Sequence, residues 1–147
     1  MPQSLVRILV HAVFSTKNRA DLIAPGIEEG LYGYIHGIVE NNKSKLILAG
    51  GTSDHIHLLI SLGKTVDISG LIGDIKRDSS VWMKEHRRDF YWQEGYGAFS
   101  IGQSQIPSVT EYIHRQKQHH AKQDFKDEFR GLLRKYEVDF DERFVWD

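Results

Sequence analysis

The order of hydrophobic periodicities along the chain predicts an α+β fold: a ferredoxin-like antiparallel sheet with its helices on one face, followed by C-terminal helices. Two observations lead to it. Segments of strand character and segments of helical period follow one another as strand, helix, strand, strand, helix, strand, which is the split βαβ order. The two middle strands are separated only by Gly50-Gly51-Thr52-Ser53-Asp54, a connection that suits a hairpin.

Leu5 to Phe14 (LVRILVHAVF) is dense in apolar and β-branched residues and reads as the first strand, buried on much of both faces. Beyond Pro25-Gly26, the residues Ile27, Leu31, Tyr34, Ile35 and Ile38 recur at helical spacing until Asn41-Asn42, so the spacing predicts a helix over 27–41. Lys45 to Ala49 is a short strand that turns back into His55 to Leu62. Asp67 can cap a second helix in which Ile68, Leu71, Ile72, Ile75, Trp82 and Met83 form the apolar stripe, ending near Arg88. The glycine-rich segment 95–102 reads as a fourth strand. Pro107 followed by Ser108-Val109-Thr110-Glu111 predicts a third helix opened by a capping box between Ser108 and Glu111. Asp124 to Tyr136 is a further amphipathic segment, and the acidic, aromatic tail (VDFDERFVWD) is expected to lie extended on the body or on a partner.

With 147 residues and 40% hydrophobic content, the chain is sized for one domain, taken as residues 1–147. It has no cysteine, which excludes thiolate nucleophiles and thiolate metal sites, so any metal must be held by imidazole, carboxylate or amide groups. No apolar run is long enough to span a membrane, and a cytoplasmic location is expected. The formal net charge of −1 conceals an asymmetry. Residues 124–147 hold eight acids and five bases of the chain's 20 and 19, which leaves twelve acids against fourteen bases before them. Basic groups gather at Lys76-Arg77, from Lys84 to Arg88 and from Arg115 to Lys122. Charge alone favours solvated helix faces at those places over phosphate contacts.

Two patterns carry chemistry. Alternation along a strand points His55 and His57 to the same side, with Ile56 and Leu58 on the other. The pair is either a metal site or two hydrogen-bonded structural histidines. Tyr112 and Gln116, four residues apart on the third helix, are neighbours on one face near its N-terminus, where an anion is favoured. The alternative there is a packed tyrosine and a solvent-facing glutamine.

Five ordered phrases resemble one family nearly end to end. They are His11-Ala12-Val13-Phe14-Ser15-Thr16-Lys17-Asn18-Arg19, Asp54-His55-Ile56-His57-Leu58-Leu59-Ile60, Ile75-Lys76-Arg77-Asp78-Ser79-Ser80, Trp92-Gln93-Glu94-Gly95-Tyr96 and Tyr112-Ile113-His114-Arg115-Gln116. The sequence resembles the single-tyrosine HUH transposases of the smallest bacterial insertion sequences, a group that includes the REP-associated tyrosine transposases. It departs from many relatives in having Ser53 in place of proline, and from compact members in its longer acidic tail.

The resemblance implies that Tyr112 is the nucleophile and that His55, His57 and Gln116 hold a divalent cation, Mg2+ or Mn2+. It implies cleavage and rejoining of single-stranded DNA through a 5′-phosphotyrosine, next to hairpin ends, by a homodimer with composite active sites. Candidate DNA contacts are Lys17, Arg19, Lys76, Arg77 and His120, with His120 also within reach of the metal's surroundings. Asp54 either orients a ligand histidine through its second ring nitrogen or belongs only to the turn. Two rival readings share the fold: a domesticated hairpin-binding protein that does not cut, and a hydrolytic metal phosphoesterase that uses water.

Overall fold

The structure is a computed structural model and describes residues 2–147. Its elements are β1 (Ile8–Ser15), α1 (Glu28–Asn41), β2 (Lys45–Gly51), β3 (His55–Leu62), α2 (Ile68–His86), β4 (Gly97–Ile101), α3 (Ile106–His114), α4 (Gln116–His119) and α5 (Phe125–Lys135). The strands form one antiparallel sheet in the order β2-β3-β1-β4, as expected for a ferredoxin-like fold.

Side-chain alternation divides the sheet into two differently covered faces. Ala12, Phe14, Ile56, Leu58 and Ile60 point to one, where α1 contributes Leu31, Ile35, Ile38 and Val39, and α2 contributes Leu71, Ile72, Ile75 and Met83. Each such side chain contributes about 1.5–3 kcal/mol on burial, so this layer is the main source of stability. The opposite face is covered by the C-terminal helices. Val109 and Ile113 of α3 pack on Leu9, Leu59 and Ile101, and Phe125, Phe129, Leu132 and Leu133 of α5 pack on Val13 and Phe99. His11, His55 and His57 belong to this second face, because β1 and β3 pair Val13 with His57 and Ser15 with His55.

Two glycines let the C-terminal helices come close. A β-carbon on Gly50 of β2 would lie 2.8 Å from Cγ2 of Ile113 and 3.0 Å from its carbonyl oxygen. One on Gly97 of β4 would lie 2.5 Å from Cε1 of Phe129. These contacts set the depth at which α3 and α5, and so their polar residues, sit on the sheet.

Several boundaries differ from the sequence expectation. The first strand begins at Ile8 and runs to Ser15, because Leu5 and Val6 have no sheet partner and are exposed. The fourth strand is limited to 97–101 by its pairing with β1. The Ser108–Glu111 capping box does not form. Pro107 has no N–H and sits in the first turn of α3, so the helix starts earlier, behind a 3-10 turn at Gln103–Gln105. Oε1 of Gln105 accepts from the Gly102 N–H at 2.7 Å, the Ser108 hydroxyl donates to the Gln105 carbonyl at 3.0 Å, and Glu111 pairs with Arg115 at 2.7 Å. Asp67 caps α2 as expected, accepting from the Gly70 N–H at 2.6 Å. The tail lies on the body but in turns rather than extended, with Trp146 against Phe129 and the Asp147 carbonyl accepting from Gly95 N–H at 2.9 Å. No helix among the described residues is long and apolar enough to cross a membrane.

Candidate metal and nucleophile site

The site forms where the ends of β1 and β3 meet the C-terminal helices. His55 and His57 are 0% exposed, and each is held at both ring nitrogens. Nδ1 of His55 lies 2.7 Å from Oδ1 of Asp54 and 2.9 Å from the Thr52 hydroxyl; its Nε2 lies 2.8 Å from Oε1 of Gln116. Nδ1 of His57 lies 2.8 Å from Nε2 of His11, and its Nε2 lies 3.2 Å from Oε1 of Glu128. Gln116 is itself buried, on α4 just past a break at Arg115 (φ −92, ψ 13). The expected single helix is therefore two, yet the spacing survives: Nε2 of Gln116 still reaches the Tyr112 carbonyl at 3.4 Å.

The centre of the arrangement is Glu128, a residue that no sequence motif singles out. Its Oε1 faces Nε2 of His120 at 2.9 Å, of His57 at 3.2 Å and of His55 at 3.3 Å. Its Oε2 accepts from the Tyr112 hydroxyl and, at 2.9 Å, from Nε2 of Gln116. A signal for it exists in α5: Glu128 is three residues after Phe125 and four before Leu132, so a carboxylate stands on the apolar stripe of the helix. His11 is likewise missed as a site residue by sequence reasoning, although alternation places it on the same face as Leu9 and Val13.

Electrostatics follow from burying these groups together. Burial opposes ionisation of Glu128, but hydrogen bonds from His120, His55 and His57 outweigh it and hold the carboxyl far below the usual range. Burial would lower His55, yet Asp54 and Glu128 together raise it to about 9. His57 is pushed down, by burial first, against the pull of Glu128. His11 is pushed to about 3 by burial and by His57. Burial and the Glu128 charge both raise the Tyr112 phenol.

The donor set fits a divalent cation. One ligand atom from each of His55, His57 and Glu128 lies within 4.8 Å of the others, all three residues being buried. Adjacent ligands of an octahedral ion with bonds of about 2.1 Å stand roughly 3 Å apart. The separations here, 2.8 Å from His55 to Gln116 and 3.2 to 3.3 Å from the histidines to Glu128, are of that size. Asp54 and His11 occupy the second ring nitrogens, the partners that orient imidazole ligands.

The other residues singled out in the sequence are dispersed. Lys17 is exposed, and Arg19 donates to the Trp146 carbonyl at 2.9 Å. Arg77 is exposed and paired with Asp74 and Asp78. Lys76 points inward: its Nζ donates to the carbonyls of Gln93, Glu94 and Gly95 at 2.6 to 3.0 Å, over the rings of Phe14 and Tyr96. Burial lowers its ammonium to about 8. His120 also turns inward, its side chain 11% exposed and its ring 4.3 Å from that of His55.

The family model described as "Transposase IS200 like" matches residues 4–116. This chain belongs to that family. Among curated relatives, the IS200 insertion-sequence transposases of Salmonella typhimurium LT2 and Salmonella typhi are each 23% identical over 114 residues, spanning 72% of this chain and 74% of theirs. A solved structure of a candidate transposase from Deinococcus radiodurans R1 shares the fold with a TM-score of 0.64 at 18% identity, covering 79% of this chain and 95% of that one. A REP-associated tyrosine transposase bound to a REP hairpin aligns with a TM-score of 0.58 at 12% identity, covering 83% and 72%. In this IS200-like transposase the matched span ends at Gln116, so His120 and Glu128 are supplied by the C-terminal segment beyond it.

Proposed function

We propose that this IS200-like transposase cleaves and rejoins single-stranded DNA beside hairpin ends through a 5′-phosphotyrosine on Tyr112. His55, His57 and Gln116 would hold Mg2+ or Mn2+, with Glu128 completing the set. The observation that carries the reading is the convergence on one carboxylate, Glu128, of the Tyr112 hydroxyl and Nε2 of both histidines. A nucleophile this near an ion site is what strand transfer requires and simple hydrolysis does not.

When bound, the cation would polarise the scissile phosphate and offset its growing negative charge. The chain's own residues do the rest. The Tyr112 oxygen attacks phosphorus, the P–O3′ bond breaks, and the phenolic proton passes through water to the departing 3′ oxygen, while Oε2 of Glu128 orients the hydroxyl for attack. One phosphodiester replaces another, so a second DNA 3′-hydroxyl can reverse the step at the same site. The exposed cations Lys17 and Arg77 are the proposed backbone contacts, with Arg19 two residues on from Lys17.

A homodimer is proposed from the resemblance. Tyr112 meets Glu128, and Gln116 meets His55, within one chain, and Gly102 alone separates β4 from the helical turn that leads into α3. This short connection favours a site assembled in cis over one shared between subunits.

The deciding experiment incubates labelled hairpin-flanked single-stranded DNA with the protein and Mn2+, followed by a denaturing gel. A covalent protein–DNA band that needs Mn2+ and vanishes in EDTA supports strand transfer. Cut DNA without an adduct would establish the hydrolytic rival, and binding without cutting the domesticated one.

A further inference from the structure

His55 and His57 are held at their second nitrogens by different chemistry. Nδ1 of His55 has the carboxylate of Asp54 at 2.7 Å, which can only accept and therefore keeps the proton on that nitrogen. Nδ1 of His57 has instead another imidazole, Nε2 of His11, at 2.8 Å. His11 is 2% exposed at the middle of β1, its ring stacked on that of His57 at 5.0 Å and flanked edge-on by Phe99 and Tyr112. Packing on this scale leaves the ring little freedom to turn away.

Two neutral imidazole nitrogens at hydrogen-bond distance share one proton. If His57 Nδ1 carries it, Nε2 of His57 is a lone pair aimed at the position it shares with His55 and Glu128. If His11 Nε2 carries it, His57 has its proton on Nε2 and donates to Oε1 of Glu128 at 3.2 Å. Without an ion the carboxylate favours the second arrangement, whereas ligation requires the first. A carboxylate in place of His11 could serve only the first. An imidazole serves both, because it can donate or accept at the same nitrogen.

We propose that His11 is a positioning residue for the ion site, fixing the ring of His57 and setting which of its nitrogens bears the proton. The inference rests on the ion-site reading above and adds to it a residue that touches neither ion nor DNA. His11 lets Nδ1 of His57 keep a hydrogen bond whether its Nε2 holds the ion or donates to Glu128. Glutamine is the conservative replacement, since an amide can also donate or accept; leucine can do neither.

The test uses the full chain with His11→Leu and His11→Gln. Mn2+ binding is measured by calorimetry, and the His57 tautomer by nitrogen NMR in EDTA and after Mg2+ saturation, with melting in EDTA as a control on folding. The Leu variant is expected to lose roughly 10–100-fold in Mn2+ affinity, the range typical for partners of metal-bound histidines, while the Gln variant stays close to the parent. In the parent, the His57 proton is expected on Nε2 in EDTA and on Nδ1 with Mg2+. A folded Leu variant that binds Mn2+ like the parent, or a folded Gln variant as weak as Leu, overturns the role of His11 alone. A parent that binds no Mn2+ overturns the ion site and this inference with it. If the Leu variant does not fold, the parent's tautomer decides, and a proton that stays on Nε2 at Mg2+ saturation refutes the proposal.

Discussion

The hydroxyl of Tyr112 donates to Oε2 of Glu128, while Oε1 of the same carboxylate faces Nε2 of His55, His57 and His120. The proposed nucleophile and the proposed ion ligands therefore share a residue. Glu128→Gln keeps the shape and removes the charge. Mn2+ affinity is expected to fall at least roughly tenfold. The Tyr112 phenol should titrate at lower pH, because after burial the Glu128 charge is the next cause of its elevation. Calorimetry and phenolate absorbance read the two effects, and an unshifted phenol would show that the carboxylate does not govern the nucleophile.

Tyr112→Phe removes one oxygen from a half-buried ring that packs beside His57 at 5.6 Å. Hairpin binding and Mn2+ affinity are expected to stay within about threefold of the parent, since the ring is retained and only the nucleophile is lost. The covalent DNA band is expected to disappear. An adduct at parental level would locate the nucleophile elsewhere in the chain.

Stability without metal should depend on pH through His55. Its folded value, about 9, exceeds the ordinary 6.5, so the stability it confers is present in full below pH 6.5 and is lost as pH rises towards 9. His11 and His57 are shifted down and act with the opposite sign below pH 6.5. Lys76, lowered to about 8, adds stability as pH rises from there towards 10.5. The window from 6.5 to 8 is thus dominated by His55. Urea unfolding in EDTA should show a declining midpoint across it, and His55→Gln should flatten the decline. Mn2+ affinity should rise across the same window, because ligation needs the neutral imidazole.

Mixing experiments address assembly. With the site formed in cis, Tyr112→Phe and His57→Ala proteins, each inactive alone, should remain inactive after mixing and verified hetero-association. Recovered cleavage, at about half the parental activity of one site per dimer, would show that helices α3 to α5 are exchanged between subunits.

Legibility in the sequence tracks physical locality. The sheet order is readable because four strands and two helices announce themselves by period, and His55 and His57 because strand alternation fixes their common side. The start of α3 misleads because Pro107 suits the first turn as well as the residue before it, and the side chain that reaches back to a free N–H is Gln105, which serves Gly102 at the turn ahead of the helix. Glu128 lies 71 residues from His57, and nothing local says which sheet residue a buried carboxylate will meet. Lys76 looks like a surface cation in sequence because its acceptors are backbone carbonyls, which leave no mark there.

With α1 and α2 on one side of the sheet and α3 to α5 on the other, neither broad surface of the strands is left to receive a polynucleotide. Single-stranded nucleic acid recognition often lays bases flat across an open sheet; that mode is closed to this molecule. The Tyr112 hydroxyl, half-buried, is bonded to Glu128 of α5, so a polynucleotide must reach it between α3 and α5. A strand entering there would be threaded past the proposed nucleophile instead of spread over a platform.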